Sequence, residues 1–154
     1  MANTLDGTRF GTIQYTEEEL MIIPSGLVGF GSLHHFVVVS HRDDSPFKWL
    51  QSVEEPALAF LVTNPWTYEE TYQPVLSDED AESLGLDGST EYSVWTTVNV
   101  RDRDISQMTL NLAAPIIVNT EKRVGKQVVL EGQAYNMRHR VFREVESVPT
   151  RQAA

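Results

Sequence analysis

Residues 47–63 read FKWLQSVEEPALAFLVT, and their local pattern is strand-like at both ends. Two runs in it, Phe47–Ser52 and 57–63, have the length of a strand and are rich in aromatic and β-branched residues. The sequence Glu54-Glu55-Pro56 separates the two runs and suits a turn better than a continuing element. We therefore predict two neighbouring β-strands here.

Similar short runs lie on both sides of this block. The predicted strands are residues 8–15, 20–23, 35–40, 92–100, 108–111, 116–119 and 126–130. The strongest is 92–100, where alternation places Tyr92, Val94, Thr96 and Val98 on one face. Residues 121–125 form a turn, so the last two strands are expected to pair as a hairpin. Many short strands with little helix predict an all-β, antiparallel, barrel-like single domain, with a sandwich as the other arrangement of such strands.

One short helix is predicted within residues 76–85, LSDEDAESLG. Ser77 can cap the free N–H groups at its start, acidic residues suit the first turn, and Gly85 can close it in a left-handed conformation. Thr16 and Glu19 have the spacing of a capping box, which predicts a helical turn that competes with the strand at 20–23.

The composition is that of an ordinary soluble domain. The chain has 154 residues, 41% hydrophobic and 22% charged, and no cysteine, which fits one domain without disulfides. Its apolar runs are far shorter than the ~20 residues of a membrane span, and its start lacks the pattern of a secretion signal. We expect a cytoplasmic monomer with no membrane contact, a domain over residues 1–140 and a flexible tail over 141–154.

The negative charge is concentrated in one third of the chain. The net charge is −10, yet residues 49–100 contain ten acidic residues and no lysine or arginine, while the rest has twelve acids and twelve bases. Such a surface repels phosphate backbones and attracts basic proteins. Direct nucleic-acid binding is therefore not expected, although surface acids also serve solubility alone.

Signals for catalysis are weak. The four histidines show no metal-ligand spacing, and the glycine-containing residues 24–29 lack the ending of a phosphate-binding loop. We expect no metal, no cofactor and no enzymatic activity. A small hydrolase using paired carboxylates, such as the adjacent Glu54 and Glu55, stays open as a reading that would require a cleft with convergent acids.

Two aromatic residues precede an acidic pair in the same third of the chain. Trp66 and Tyr68 follow the turn sequence Asn64-Pro65 and lead into Glu69 and Glu70. Aromatic side chains with charged neighbours are typical of protein-interaction hot spots, although each ring taken singly is more simply a packing residue.

The order of several motifs resembles the FliW family of flagellar assembly factors. The similar segments are residues 23–30 (IPSGLVGF, with Val28 where the family usually has proline), 47–65, 111–119 and 125–130, and the resemblance covers about residues 10–140. It implies a monomeric, β-barrel-like cytoplasmic protein without activity or cofactor. It also implies two alternative partners, flagellin and CsrA, the small RNA-binding dimer that represses flagellin translation and that the family antagonises allosterically.

The charge distribution and the resemblance together suggest where a basic partner would bind. RNA-binding proteins carry basic surfaces, which the acidic third of this chain complements. We predict a partner-binding surface made of Trp66, Tyr68, Glu69, Glu70, Asp78, Glu79, Asp80 and Glu82. The alternative is an acidic RNA mimic that competes directly at the RNA site of a basic regulator.

Overall fold

The computed structural model describes residues 2–40 and 44–142, which form eleven β-strands and one short α-helix. The strands are β1 (Ala2–Thr8), β2 (Gly11–Thr16), β3 (Met21–Ile22), β4 (His35–Val39), β5 (Phe47–Ser52), β6 (Ala59–Thr63), β7 (Tyr92–Asn99), β8 (Thr109–Leu110), β9 (Ile116–Asn119), β10 (Val124–Gln127) and β11 (His139–Arg140). Helix α1 (Asp78–Ser83) lies between β6 and β7. Single 3-10 turns occur at Glu17–Glu19, Pro65–Thr67, Arg101–Arg103 and Ile105–Gln107.

Seven of these strands close into a barrel. Each pairs with the next in the order β3, β4, β5, β6, β7, β9 and β10, and β10 returns to β3. The β10–β3 pair is parallel and rests on the single register pair Val124↔Ile22, whereas the other six pairs of the ring are antiparallel. The predicted all-β, barrel-like single domain with one short helix is confirmed.

Strand β7 joins the barrel to a small extension. Its first half pairs with β9, Thr96 and Thr97 pair with β6, and Val98 and Asn99 pair with β8. Strand β11 then adds to the far side of β8. The three strands β7, β8 and β11 therefore extend past the barrel as a narrow antiparallel sheet.

Two hydrophobic clusters lie on opposite faces of the barrel wall. The interior cluster draws buried side chains from several ring strands, among them Met21, Phe36, Leu50, Val62 and Ile116. The outer cluster lies against the other face of β7 and β9 and comprises Tyr72, Leu84, Val94, Leu110, Leu112, Ile117, Val128 and Leu130. Directly opposite residues of paired strands share a face, so the pair Trp95↔Ile116 points inward and the pair Val94↔Ile117 points outward.

The N-terminal strand was predicted wrongly in its extent. The sequence pattern indicated one strand over 8–15, whereas the chain turns at Arg9 and Phe10 and pairs β1 with β2. Gly7 and Gly11 both adopt φ +81°, a conformation glycine reaches without strain, and the Thr8 hydroxyl accepts a 3.0 Å hydrogen bond from the Phe10 N–H. The Arg9 guanidinium lies 4.1 Å from the Trp49 ring centroid, which places the turn against β5.

The C-terminal part also differs from the expectation in detail. The β9–β10 hairpin is confirmed, but β10 starts at Val124 and not at residue 126, because Arg123 takes φ +56° and completes the turn earlier. Strand β11 had no sequence signal and was missed. Of the predicted flexible tail, residues 143–154 lie outside the described residues.

Other local predictions agree with the structure. The Thr16 N–H donates to Glu19 Oε1 at 2.8 Å, so the predicted helical turn forms, and β3 follows it directly. Among the described residues, no helix is long and apolar enough to cross a membrane.

Candidate partner-binding surface

Residues 64–91 connect β6 to β7 and carry all eight side chains of the predicted surface; we call them the connecting segment. It packs on the outer cluster through the buried residues Tyr72 and Leu84. The Tyr72 hydroxyl donates a 2.7 Å hydrogen bond to the Leu112 carbonyl, and burial raises the pKa of Tyr72 far above its ordinary value. The connecting segment is therefore an ordered layer on the barrel.

Helix α1 forms for the reasons that its sequence suggested. The Ser77 hydroxyl accepts a 3.1 Å hydrogen bond from the Asp80 N–H, and Gly85 follows the helix with φ +70°. Asp78 and Glu79 lie in the first turn, where carboxylates interact favourably with the free N–H groups. Asp78, Glu79 and Glu82 are exposed on the finished helix, so three of its four acids face solvent.

The fourth helix acid, Asp80, forms an ion pair with another residue of the protein. Lys126 of β10 donates a 2.6 Å hydrogen bond to Asp80 Oδ1, and both side chains are mostly covered, with exposed fractions of 29% and 20%. The hydrogen bond from Lys126 lowers the pKa of Asp80, with a smaller contribution from Ser77, against the opposing effect of partial burial. This ion pair holds α1 on the barrel.

A second contact holds the end of the helix, and sequence analysis did not identify it. Asn119, at the end of β9, is fully buried, and its side-chain amide donates to the Leu84 carbonyl at 2.9 Å. Its Oδ1 accepts hydrogen bonds from the N–H groups of Glu121 and Lys122, each at 3.1 Å. The sequence Asn119-Thr120 marked only a turn, and nothing in it indicated a contact with a helix more than thirty positions away.

The two predicted aromatic residues differ in how much they present to a partner. Trp66 is 37% exposed, and its Nε1–H donates to the Tyr72 carbonyl at 2.7 Å, which fixes the orientation of the ring. Tyr68 stacks on Phe47 with ring centroids 6.1 Å apart and is half-buried against the outer cluster; this burial raises its pKa. Trp66 therefore has an accessible edge, while Tyr68 is chiefly a packing residue.

The two residues of the acidic pair that follows these aromatics also differ in their exposure. Glu69 forms a 2.9 Å contact with His139 of β11, and both side chains are about three-quarters buried. Glu70, the next residue, is exposed. Glu69 thus ties the connecting segment to β11 in the way that Asp80 ties it to β10.

The surface carries less negative charge than the sequence suggested. Glu70, Asp78, Glu79 and Glu82 are exposed, whereas Glu69 and Asp80 have cationic or imidazole partners. Lys122 also lies close to the end of α1, since a Cβ atom on Gly85 would come within 2.8 Å of its Nζ. The structure leaves Asp78, Glu79 and Glu82 exposed on α1 and turns Asp80 toward β10, whereas Glu69 contacts a different strand, β11.

Of the two carboxylates considered for hydrolysis, Glu54 has a structural role. Glu54 accepts hydrogen bonds from the N–H groups of His34 and His35 at 2.6 and 2.8 Å. Partial burial acts to raise the pKa of Glu54, but these hydrogen bonds outweigh it and hold the pKa below its ordinary value. Within residues 2–40 and 44–142, no group of three His, Asp or Glu side chains is placed to hold a metal ion.

These features define a class of protein: a closed β-barrel with a packed outer layer that displays charged and aromatic side chains. Comparison with known proteins identifies the family. The family described as "FliW protein" matches residues 4–141, and the chain belongs to this family of flagellar assembly factors.

The similarity covers nearly the whole length of the relatives. The flagellar assembly factor FliW of Desulfitobacterium hafniense is 38% identical over 146 residues, which are 95% of each chain. That of Alkaliphilus metalliredigens is 34% identical over 94% of this chain and 89% of its own length. A crystal structure of a flagellar assembly factor FliW superimposes with a TM-score of 0.85 at 34% identity, covering 92% of this chain and 99% of that one.

Proposed function

We propose that this protein binds flagellin and antagonises CsrA in the cytoplasm, and thereby couples flagellin synthesis to flagellum assembly. Membership of the FliW family supports a role in flagellar assembly. The observation that carries the choice of surface is the exposed acidic face of α1, because Ser77, Lys126 and Asn119 hold it in one orientation. A helix whose backbone is already fixed attracts a basic protein with a smaller ordering cost than a flexible loop would, because only the exposed side chains remain to be ordered.

The proposed contact residues fall into two groups. Asp78, Glu79, Glu82 and Glu70 are exposed and would meet the partner directly, with the edge of Trp66 as the apolar contact. Tyr68, Glu69 and Asp80 would act by holding the connecting segment in place. The monomeric protein would thus offer CsrA a preformed surface.

Neutralising the helix face tests this role. In the triple variant Asp78→Asn/Glu79→Gln/Glu82→Gln, we expect association with CsrA to be slowed roughly tenfold at low salt, since each exposed charge contributes about 0.2–1 kcal/mol. The salt dependence of the association rate should also become flatter. Stopped-flow fluorescence over a range of salt concentrations measures both quantities.

The matched control removes the same charge elsewhere. Glu18, Glu121 and Glu131 are exposed residues outside the connecting segment, and their change to glutamine should leave association nearly unchanged. If the helix variant associates at the wild-type rate with the wild-type salt dependence, the acids of α1 serve solubility only.

An RNA-release experiment distinguishes the RNA-mimic alternative from allosteric antagonism. An allosteric antagonist binds the CsrA–RNA complex and accelerates RNA dissociation, whereas a direct competitor must wait for RNA to leave. Rapid mixing of a preformed CsrA–RNA complex with excess protein measures this rate. A release rate independent of the concentration of this protein would favour the mimic.

A further inference from the structure

A cationic hollow lies where β7, β8 and β11 extend past the barrel. Its volume is about 470 Å³, and its lining consists of three arginines and three neutral hydrogen-bonding residues: Arg101, Arg138, Arg140, Asn99, Gln107 and Thr109. None of the lining residues is acidic, although the protein carries a net charge of −10. Neither the family assignment nor the acidic surface of α1 accounts for this hollow.

The strand register explains why these side chains share one face. Asn99 of β7 lies opposite Thr109 of β8, and Thr109 lies opposite Arg140 of β11. The next register row, Val98, Leu110 and His139, points to the other face, where Leu110 is fully buried. The register therefore places Asn99, Thr109 and Arg140 on the face of the hollow and the row that contains Leu110 on the opposite face.

The loop after β7 brings the remaining groups to the same place. Asp102 and Arg103 adopt φ +53° and +58°, a left-handed conformation that turns the chain sharply after Arg101. Asp104 then caps the turn Ile105–Gln107 by accepting a 3.0 Å hydrogen bond from the Ser106 N–H. This path returns the chain, so that Arg101 and Gln107 line the hollow together.

We propose that the hollow binds an acidic peptide segment in extended conformation. Guanidinium groups are planar forks that bind carboxylates with two parallel hydrogen bonds. The side-chain amides of Asn99 and Gln107 each offer a donor and an acceptor, which match the N–H and C=O groups of a peptide backbone. The site is independent of the proposed function, since it lies on other elements and has the opposite charge.

The lining disfavours other anions. Single-stranded nucleic acids are bound largely by stacking bases on aromatic side chains, and the hollow is lined by none. A single inorganic phosphate carries acceptor oxygens and at most two O–H donors, so it offers the two side-chain amides fewer pairings than an extended peptide backbone does. A peptide with spaced carboxylates can pair with the exposed guanidinium groups of Arg101 and Arg138 and with the amides at once.

Fluorescence anisotropy with a labelled peptide tests the proposal. The probe is a short peptide in which glutamates alternate with threonines, and its matched partner has glutamine at every glutamate. The wild-type protein should bind the glutamate peptide and not the glutamine peptide. The variant Arg101→Gln/Arg138→Gln should bind roughly tenfold more weakly, since it loses two charge-assisted contacts from exposed side chains.

The control variant is Arg9→Gln/Lys122→Gln, which removes two exposed positive charges outside the hollow. It should bind the glutamate peptide like the wild type. Amide chemical shifts in a two-dimensional NMR titration should change at Asn99, Gln107 and Thr109, which supports the site independently of the variants.

The proposal would be overturned by equal binding of the two peptides, by equal weakening in the two double variants, by shift changes that avoid the hollow, or by tighter binding of a single-stranded RNA oligonucleotide than of the peptide. Displacement of the peptide by millimolar inorganic phosphate as readily as by unlabelled peptide would reduce the hollow to a simple anion site and would also contradict it.

Discussion

Residues of one chemical type have different roles in the acidic third of this chain. Asp80 and Glu69 are partly buried in contacts with Lys126 and His139, whereas Asp78 and Glu82 are exposed on the same helix as Asp80. The difference comes from helical periodicity, which turns Asp80 toward β10 and its neighbours toward solvent. A carboxylate count along the sequence therefore overstates the charge that a partner would meet.

The substitution Asp80→Asn tests the structural role. We expect it to lower the free energy of unfolding by about 1 kcal/mol at pH 7, because Lys126 loses a charged partner in a partly covered site. Urea unfolding followed by fluorescence measures the loss. The exposed residue Asp78 offers the control, and Asp78→Asn should change stability by less than about 0.5 kcal/mol.

The same ion pair makes a pH-dependent contribution. The pKa of Asp80 is lower in the folded protein than its ordinary value of 3.8. The stabilisation is therefore fully present above that ordinary value and is lost as pH falls through the lower, folded value. The stability gap between wild type and Asp80→Asn should close in acid; a gap that is constant from pH 7 to below pH 3.8 would show that the charge of Asp80 contributes nothing.

Sequence analysis identified Asp80 and Glu69 as surface candidates but did not identify the residues that contact them. Ser77, the acidic first turn and Gly85 are local signals, so α1 could be placed from them. Lys126 lies 46 positions from Asp80, and His139 lies far from Glu69, so neither contact has a sequence signature. Their formation depends on the order in which the strands pair.

At the level of elements, glycines in the loop between β3 and β4 show how local geometry limits substitution. Gly26 and Gly29 both have positive φ, at +69° and +84°. A Cβ atom on Gly26 would lie 2.6 Å from both Gly31 Cα and the Phe30 carbonyl oxygen, whereas one on Gly29 would meet nothing within 4 Å. Gly26 is therefore required for close backbone contact as well as for its conformation.

Replacing each of these glycines by alanine separates the two effects. Gly29→Ala should cost about 1 kcal/mol, which is the strain of a left-handed alanine. Gly26→Ala should cost at least about 2 kcal/mol more, because a backbone clash cannot be relieved by rotating a side chain. Equal losses in thermal or urea unfolding would show that the loop shifts freely and that the close contact is unimportant.

Elements with alternating or β-branched sequences could be predicted, and elements set by turn geometry could not. Strands β5, β7 and β9 lie where their patterns indicated. The pairing of β1 with β2 depends on positive φ at Gly7 and Gly11, and β11 has only two residues. The pairing of β1 with β2 and the formation of β11 depend on the positions of neighbouring strands, which a local sequence pattern does not give.

For the molecule as a whole, β7 and β9 support both hydrophobic clusters. Trp95 and Ile116 face the interior cluster, and Val94 and Ile117 face the outer cluster. Removing the connecting segment would expose the outer faces of the strands that close the barrel. We therefore expect the barrel and its outer layer to unfold together.

Two single-tryptophan variants test this cooperativity. One retains Trp66 in the connecting segment and the other retains Trp95 in the barrel, with phenylalanine at the other two tryptophan positions. Each should give the same urea midpoint by fluorescence as by far-ultraviolet circular dichroism of the same variant, as a two-state transition requires. A Trp66 signal that changes well before the circular dichroism signal would mean that the outer layer opens separately.

The parallel pair Ile22↔Val124 has a consequence for synthesis of the chain on the ribosome. About a hundred residues separate these two positions, so the ring stays an open sheet until β10 has left the exit tunnel. Until then β3 and β9 are unpaired edges of this sheet beside the apolar interior cluster, and unpaired edges make nascent molecules prone to aggregate. Closure of this seam is thus the step at which chaperone protection would end.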